Sequence, residues 1–367
     1  MTLARFAVLV LIAVLATGAA PAGDVRLNQM QVVGSHNSYH RAPAPGVSAM
    51  IAAVSKKQAG ALAYSHPPLA EQFERLGIRQ IELDVFADPE GGRFAAPKAR
   101  ATLKMLGKDP GPDPDLNGAL KKPGMKILHV PDVDYLTTAP TLVDALRQVR
   151  AWSRAHPRHV PMFILLELKD MKAGAFDGPA LDALDAEVRS VFTPAEMITP
   201  DDVRGDCATL PEALHKRGWP TLDTSRGKVM LALDNEDGVR DRYLDGHPAL
   251  QGRALFVSVA EDHPATAWMK VNDVHKDFDK IQALVKAGFL VRTRADTDTA
   301  EARANDPTRR DQALASGAQF VSTDYAEADP RLSNYHVRLP HGVVARPNPV
   351  SGDPDEASLD LERSDKD

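Results

Sequence analysis

Short runs of β-branched and other apolar residues alternate with longer stretches of helical period along nearly the whole chain. This alternation constrains the fold more than any single residue does. Eight such runs occur, at Met30 to Gly34, Arg79 to Val85, Met125 to His129, Met162 to Glu167, Lys228 to Leu233, Ala254 to Val259, Phe289 to Arg294 and Gln319 to Thr323. Amphipathic stretches stand between several of them, at Leu69 to Leu76, Thr141 to Arg154, Ala180 to Val191 and Phe278 to Ala287. Eight parallel strands with interposed helices, in about 300 residues, close into a (β/α)8 TIM-type barrel. An open doubly wound sheet is the competing α/β solution, but the Gly-rich phosphate loop that usually follows its first strand is missing here. No repeat of fixed period and no low-complexity linker divides the chain, so residues 23–345 read as a single barrel domain. The stretch from Ala87 to Lys122, with its Gly and Pro clusters, reads as a long loop after strand 2, lying over the barrel mouth.

The two ends of the chain read differently. Arg5 precedes an apolar run from Phe6 to Ala16, and small residues follow up to Ala20-Pro21-Ala22, an Ala-x-Ala cleavage pattern. Residues 1–22 are therefore expected to be a removed signal peptide, leaving a secreted or periplasmic protein with no transmembrane segment. The alternative is an uncleaved anchor, although the run falls short of the roughly 20 apolar residues a span needs. Residues 346–367 are rich in Pro, Asp, Glu and Ser, and are expected to form a disordered acidic tail. With 44 basic and 50 acidic side chains the formal charge is -6, which argues against a nucleic-acid partner. The single Cys207 excludes an internal disulfide, so stability is expected from packing, with or without a metal; the chain is expected to be monomeric.

In a barrel the chemistry belongs at the carboxyl ends of the strands, and polar residues gather there. The first run passes into Ser35-His36-Asn37-Ser38-Tyr39. In Ile81-Glu82-Leu83-Asp84-Val85, alternation puts Glu82 and Asp84 on one face and the apolar residues on the other. Two inward carboxylates about 7 Å apart repel one another unless a cation or a proton compensates them. All-oxygen ligands suit Ca²⁺ or Mg²⁺ rather than zinc; pairing with buried Lys or Arg is the plainer alternative. The third run ends at His129, the fourth at Glu167-Leu168-Lys169, and the seventh carries Arg292 and Arg294 on one face. The arginine pair suits a phosphate clamp and equally suits neutralisation of barrel carboxylates. Hard-metal ligands together with two imidazoles fit acid–base work on a phosphodiester.

The segments Gly34-Ser35-His36-Asn37-Ser38-Tyr39, Gly77 through Val85, Lys126-Ile127-Leu128-His129 and Leu166-Glu167-Leu168-Lys169 resemble, in order and spacing, the Ca²⁺-dependent phosphatidylinositol-specific phospholipase C family. The likeness runs on through Gly317 to Tyr325 and so covers nearly the whole mature chain. It implies a TIM-type barrel in which an inositol 2-hydroxyl attacks phosphorus, diacylglycerol leaves, and a cyclic inositol phosphate forms before hydrolysis. It further implies that His36 holds the phosphoryl group and His129 acts as general acid. Asn37, Glu82, Asp84 and Glu167 would bind Ca²⁺, Glu82 or Asp84 would accept the hydroxyl proton, and Lys169, Arg292 and Arg294 would bind substrate. Mg²⁺ or Mn²⁺ enters the same oxygen set when geometry allows.

Three rivals are weighed against this reading. Glycerophosphodiester phosphodiesterases share the barrel and the strand-two acids but place Arg-Gly after the first histidine, where this chain has Asn37-Ser38. A sphingomyelinase D-like lyase and a non-catalytic secreted lipid-binding barrel are the others, and retention of every inferred ligand counts against the last. The implied partner is a phospholipid at a membrane surface. Lys98, Arg100, Lys104, Lys108, Lys121 and Lys122 make a local basic cluster for such a surface, or an ordinary solvated loop. The other histidines, His40 and His66 included, receive no role.

Overall fold

The computed structural model describes residues 25–169, 175–236, 238–353 and 358–363; the expected signal peptide lies outside the described residues. The strands among them are β1 (Met30–Ser35), β2 (Gln80–Phe86), β3 (Lys126–Ile127), β4 (Met162–Leu168), β5 (Met197–Ile198), β6 (Val229–Leu233), β7 (Leu255–Val257), β8 (Trp268–Lys270), β9 (Leu290–Arg294), β10 (Phe320–Thr323) and β11 (Ala345–Pro347). Parallel pairing runs from β1 to β2, β4, β6 and β7 on one side, and from β1 back through β10 and β9 to β8 on the other. A parallel bridge between Ser258 and Trp268 carries the closure between β7 and β8, which makes the curled sheet a TIM-type barrel.

One of the eight expected barrel strands is corrected by this pairing, and an unexpected one takes its place. The run from Met125 to His129 supplies β3, which lies antiparallel across the carboxyl end of β2, pairing Val85 with Ile127 and Phe86 with Lys126. Its apolar pattern reports burial, and burial carries no information on strand direction. The missing parallel strand is β8, only three residues long and too short to show a period. Trp268 seats it, fully buried with its ring 5.7 Å from that of Phe163.

The expected helices form where the periodicity places them. Helix Leu142–Ala155 starts at Thr141, whose hydroxyl accepts from the Asp144 amide, and it buries Leu142, Ala145, Leu146, Val149 and Trp152 along one stripe. Inside the barrel, Phe163 of β4 and Phe320 of β10 stack with centroids 4.1 Å apart. Period-two alternation from that plug turns Gln80, Glu82 and Asp84 of β2, Glu167 of β4, Arg292 and Arg294 of β9, and Asp324 after β10 toward the interior. The close approach of β1 to β2 needs a residue without a side chain: a Cβ on Gly34 would sit 1.9 Å from Gln80 Oε1.

Residues 346–353 and 358–363 depart from the expected disordered tail, whose remaining residues lie outside the described ones. β11 pairs antiparallel with β1 over Met30 to Val32, and Leu361 is fully buried. Glu362 then receives the Arg79 guanidinium, whose Nε donates at 2.6 Å while its plane lies 4.5 Å from the Trp152 ring. Composition averaged over the segment misses single anchors of this kind, and these close the amino-terminal end of the barrel. At the opposite end, the long connections after β1 and β2 fold into a small subdomain. Helices Pro45–Val54 and Lys98–Met105 pack around Val47, Phe86, Phe94, Leu103, Leu128 and Tyr135. The stretch expected as a loop from Ala87 to Lys122 thus contains a helix and an apolar cluster of its own.

Candidate functional site

The carboxyl end of the barrel holds three linked groups of side chains. In the first, His36 leaves the end of β1 with its amide bonded to Thr323 O at 2.9 Å, which fixes the backbone against β10. Its Nδ1 lies 2.7 Å from Asp324 Oδ1, and Arg294 reaches both partners, at 3.1 Å from His36 Nε2 and 3.2 Å from Asp324 Oδ2. Arginine can only donate, so Nε2 is the acceptor and Nδ1 carries the proton that Asp324 accepts. Burial, reinforced by the Arg294 cation, lowers the His36 pKa to about 3, so the ring is neutral. Burial opposes ionisation of Asp324, but the His36 hydrogen bond and the Arg294 cation hold it below the usual carboxylate range. His66 donates from Nε2 to the His36 carbonyl at 2.8 Å and so braces the same turn.

The second group is acidic. Glu82 accepts a short bond from Arg292, and its other oxygen lies 3.7 Å from His36 Nε2. Asp84 and Glu167, aligned by the β2–β4 register, share Lys169, whose Nζ is 3.0 Å from Asp84 Oδ2 and 2.6 Å from Glu167 Oε2. Asp234 stands immediately after β6 and is held by Lys270 at 2.9 Å. Burial, with further repulsion from Asp234, Glu167 and Asp84, pushes the Glu82 pKa up to about 8 despite Arg292. Burial and the charge of Glu167 likewise push Asp84 up to about 7, against the pull of Lys169.

These acids fit a hard cation. Glu82, Glu167 and Asp234 each offer an oxygen within 4.8 Å of the others. Asn37 Oδ1, Asp84 Oδ1 and Asp234 Oδ1 are buried without a hydrogen-bond partner. Asn37 adopts a φ of 46°, in the left-handed region that asparagine tolerates better than most residues, and its Nδ2 donates to Tyr64 at 3.1 Å. Orphaned, buried oxygen donors beside two carboxyl groups, Glu82 and Asp84, whose pKa values are raised are what Ca²⁺ or a similar ion relieves.

The third group surrounds His129. Its Nδ1 lies 2.7 Å from Asp134 Oδ2, and His40 Nε2 lies 2.8 Å from the same oxygen. His40 and Asp134 are fully buried, and the His40 ring stacks on Tyr64 at 4.3 Å. Burial alone would lower the His129 pKa. The Asp134 hydrogen bond and the Asp84 charge outweigh it, so the net direction is upward. Hydrogen bonds from both imidazoles, against the cost of burial, keep Asp134 ionised. This side therefore favours the protonated form of His129, where the other side keeps His36 neutral.

All nine side chains singled out from the sequence lie at this end of the barrel: His36, Asn37, Glu82, Asp84, His129, Glu167, Lys169, Arg292 and Arg294. Both arginines are engaged with carboxylates, Arg292 with Glu82 and Arg294 with Asp324. Sequence reasoning missed Asp134, Asp234, Asp324, Lys270 and His40. Asp234 and Asp324 follow directly on β6 and β10, so inspecting the residue after every strand would have found them. Asp134 and His40 lie in irregular connections, where no period marks them.

The family model described as phosphoinositide phospholipase C, Ca²⁺-dependent, matches residues 25–349. Among solved structures, a calcium-dependent phosphoinositol-specific phospholipase C from a Gram-negative bacterium, Pseudomonas sp, is similar with a TM-score of 0.53 at 16% identity, covering 90% of this chain and 98% of that one. A Ca²⁺-dependent phosphatidylinositol-specific phospholipase C from Streptomyces antibioticus aligns with a TM-score of 0.53 at 18% identity, over 82% of this chain and 95% of its own. A myoinositol complex of the Pseudomonas protein gives a TM-score of 0.53 at 16% identity, over 89% and 99%. At these identities the likeness is one of fold. No curated protein matches the chain.

Proposed function

The chain belongs to the Ca²⁺-dependent phosphoinositide phospholipase C family, whose members are phosphoric diester hydrolases, and on that premise we propose that it is an exported, monomeric enzyme that cleaves phosphatidylinositol. The products are diacylglycerol and inositol phosphate, formed by way of a cyclic inositol phosphate. The observation that carries this reading is the pair of oppositely tuned histidines flanking a set of unpartnered oxygen donors.

In the first step the inositol 2-hydroxyl oxygen forms a bond to phosphorus while the bond from phosphorus to the diacylglycerol oxygen breaks. The hydroxyl proton passes to a carboxylate of the Glu82 and Asp84 pair. His129 gives its Nε2 proton to the departing alkoxide, because Nδ1 is committed to Asp134. His36 donates its one N–H to Asp324 and accepts from Arg294 at Nε2, so it orients the phosphoryl group through that guanidinium, which carries the positive charge there. In the second step water oxygen bonds to phosphorus and gives a proton to His129 Nε2, while the bond from phosphorus to the 2-oxygen breaks and the protonated carboxyl returns its proton to that oxygen, restoring both groups.

Asn37, Glu82, Asp84, Glu167 and Asp234 supply the oxygens for the cation. Calcium, when bound, neutralises the phosphoryl oxygens and lowers the pKa of the attacking hydroxyl. Lys169 holds Asp84 and Glu167 in register and can turn its free donor toward substrate phosphate.

Phosphorus NMR of the mature protein with phosphatidylinositol tests the reading. A cyclic inositol phosphate signal that forms with calcium and fails with chelator is expected. Glycerol phosphate released from glycerophosphodiesters, with phosphatidylinositol untouched, would overturn it in favour of a glycerophosphodiesterase.

A further inference from the structure

Five large apolar side chains are the exposed ones among the described residues: Val54, Met105, Leu106, Leu116 and Val130. Val54 lies in the connection after β1, Met105, Leu106 and Leu116 in that after β2, and Val130 just after β3, which itself crosses the carboxyl end of β2. Because those connections leave the carboxyl ends of parallel strands, they stand at the face where the candidate site opens. The rest of the described barrel surface contributes none. Single exposed apolar residues need no explanation, but confinement of the whole set to the catalytic end does.

The densest part of the set is the end of helix Lys98–Met105, where Lys104-Met105-Leu106-Gly107-Lys108 is exposed throughout. Met105 is 81% and Leu106 58% exposed, so neither side chain packs on the apolar cluster below, while Leu103, one turn back, is buried in it. Leu116, at 83%, projects from the loop whose start is tied to the same helix by Arg100 bonding to Pro112 O at 3.1 Å. From Ala96 to Lys108 the chain carries Lys98, Arg100, Lys104 and Lys108 and no acidic residue, although the protein as a whole is at -6. Lys104 and Lys108 take part in none of the described ion pairs.

We propose that this tip, with Met105, Leu106 and Leu116 as the inserting side chains and Lys104 and Lys108 as the flanking charges, docks the enzyme on an anionic phospholipid surface. The assignment rests on the phospholipase reading above, since it places the tip beside a site that must reach a lipid headgroup. Apolar side chains bracketed by lysines match the layering of such a surface, with acyl chains beneath and phosphates at the level of the ammonium groups. A protein partner would more readily be met by a flat patch with aromatic anchors, and the five exposed residues include no aromatic ring.

The test compares vesicles with a monomeric substrate. Binding of the full mature chain to phosphatidylcholine vesicles containing phosphatidylinositol is measured by cosedimentation with calcium chelated. Turnover is measured on the same vesicles and on dispersed short-chain phosphatidylinositol with calcium present. The variant M105S/L106S should weaken vesicle binding by about tenfold or more and lower vesicle turnover in step, with turnover of the monomeric lipid unchanged. K104E/K108E should weaken binding by about tenfold at low salt, with the difference fading as salt is raised. Unchanged vesicle binding in both variants would overturn the docking surface, as would an equal loss on the monomeric lipid. An inactive parent protein would refute the phospholipase reading instead, and the vesicle measurement would still decide the docking surface because it needs no turnover.

Discussion

His36 and His129 are built on the same pattern, an imidazole with a buried carboxylate at Nδ1, yet they are driven in opposite directions. His36 sits in the β1, β9 and β10 sector, where Arg294 presses on its other nitrogen and the ring is held neutral. His129 follows β3, where the nearest outside charge is Asp84 and the ring is held toward its protonated form. A His–Asp pair by itself therefore does not say whether the ring donates, accepts or merely holds. The third partner decides, and here it is a cation on one side and an anion on the other.

The largest effects should come from cutting this contrast at the rings. His129→Ala is expected to lower turnover of phosphatidylinositol by about 10²- to 10⁴-fold, the usual span for a lost proton donor. Much of the loss should return with an inositol phosphodiester bearing a nitrophenolate leaving group, which departs without a proton. His36→Ala should be as slow on both substrates, since orientation of the phosphoryl group serves either leaving group. Steady-state kinetics on the two substrates decides, and equal deficits for His129→Ala would remove its assignment as the acid.

The next effect is smaller and is read from pH. A hydrogen bond to a charged group contributes about 1.5 to 3 kcal/mol, so Asp134→Asn should cost roughly ten- to a hundredfold in turnover if that support is felt fully in the transition state. The same change removes the anion that raises His129. An acid must be protonated to act, so activity falls as pH rises through its pKa, and a lowered pKa carries that alkaline limb to lower pH. Profiles of kcat/KM for the two proteins, measured in parallel, should show the displacement. A limb that stays in place would mean that a group other than His129 titrates there.

How much of this was legible beforehand depends on periodicity. Glu82 with Asp84, Glu167 with Lys169, and Arg292 with Arg294 lie two apart on strands, and alternation alone brought each pair to the barrel interior. β8, at three residues, gave no period to read, and β3 gave the right burial with the wrong direction. The closing segment escaped because Arg79 with Glu362, 283 residues apart, is a contact that no local window contains. His40 and Asp134 share this difficulty, being 94 residues apart and joined only by tertiary structure.

His40 gives the finest form of the contrast. It is the last residue of Ser35-His36-Asn37-Ser38-Tyr39-His40, so one short segment supplies the orienting ring of one sector and the brace of the other. Its Nε2 and the Nδ1 of His129 meet on a single Asp134 oxygen, which pins the carboxylate in the rotamer His129 needs. A hydrogen bond to a charged carboxylate contributes about 1.5 to 3 kcal/mol, and since this one reaches the reaction only in part, through Asp134 and His129, His40→Ala should slow turnover of phosphatidylinositol by roughly fivefold. His40→Gln, which keeps an N–H donor near the same position, should recover most of that. The deficit should shrink on the nitrophenyl substrate, because a brace on the acid matters only when the acid is used. If His40→Ala slows both substrates alike and glutamine rescues neither, His40 serves the packing against Tyr64 and not the His129 sector.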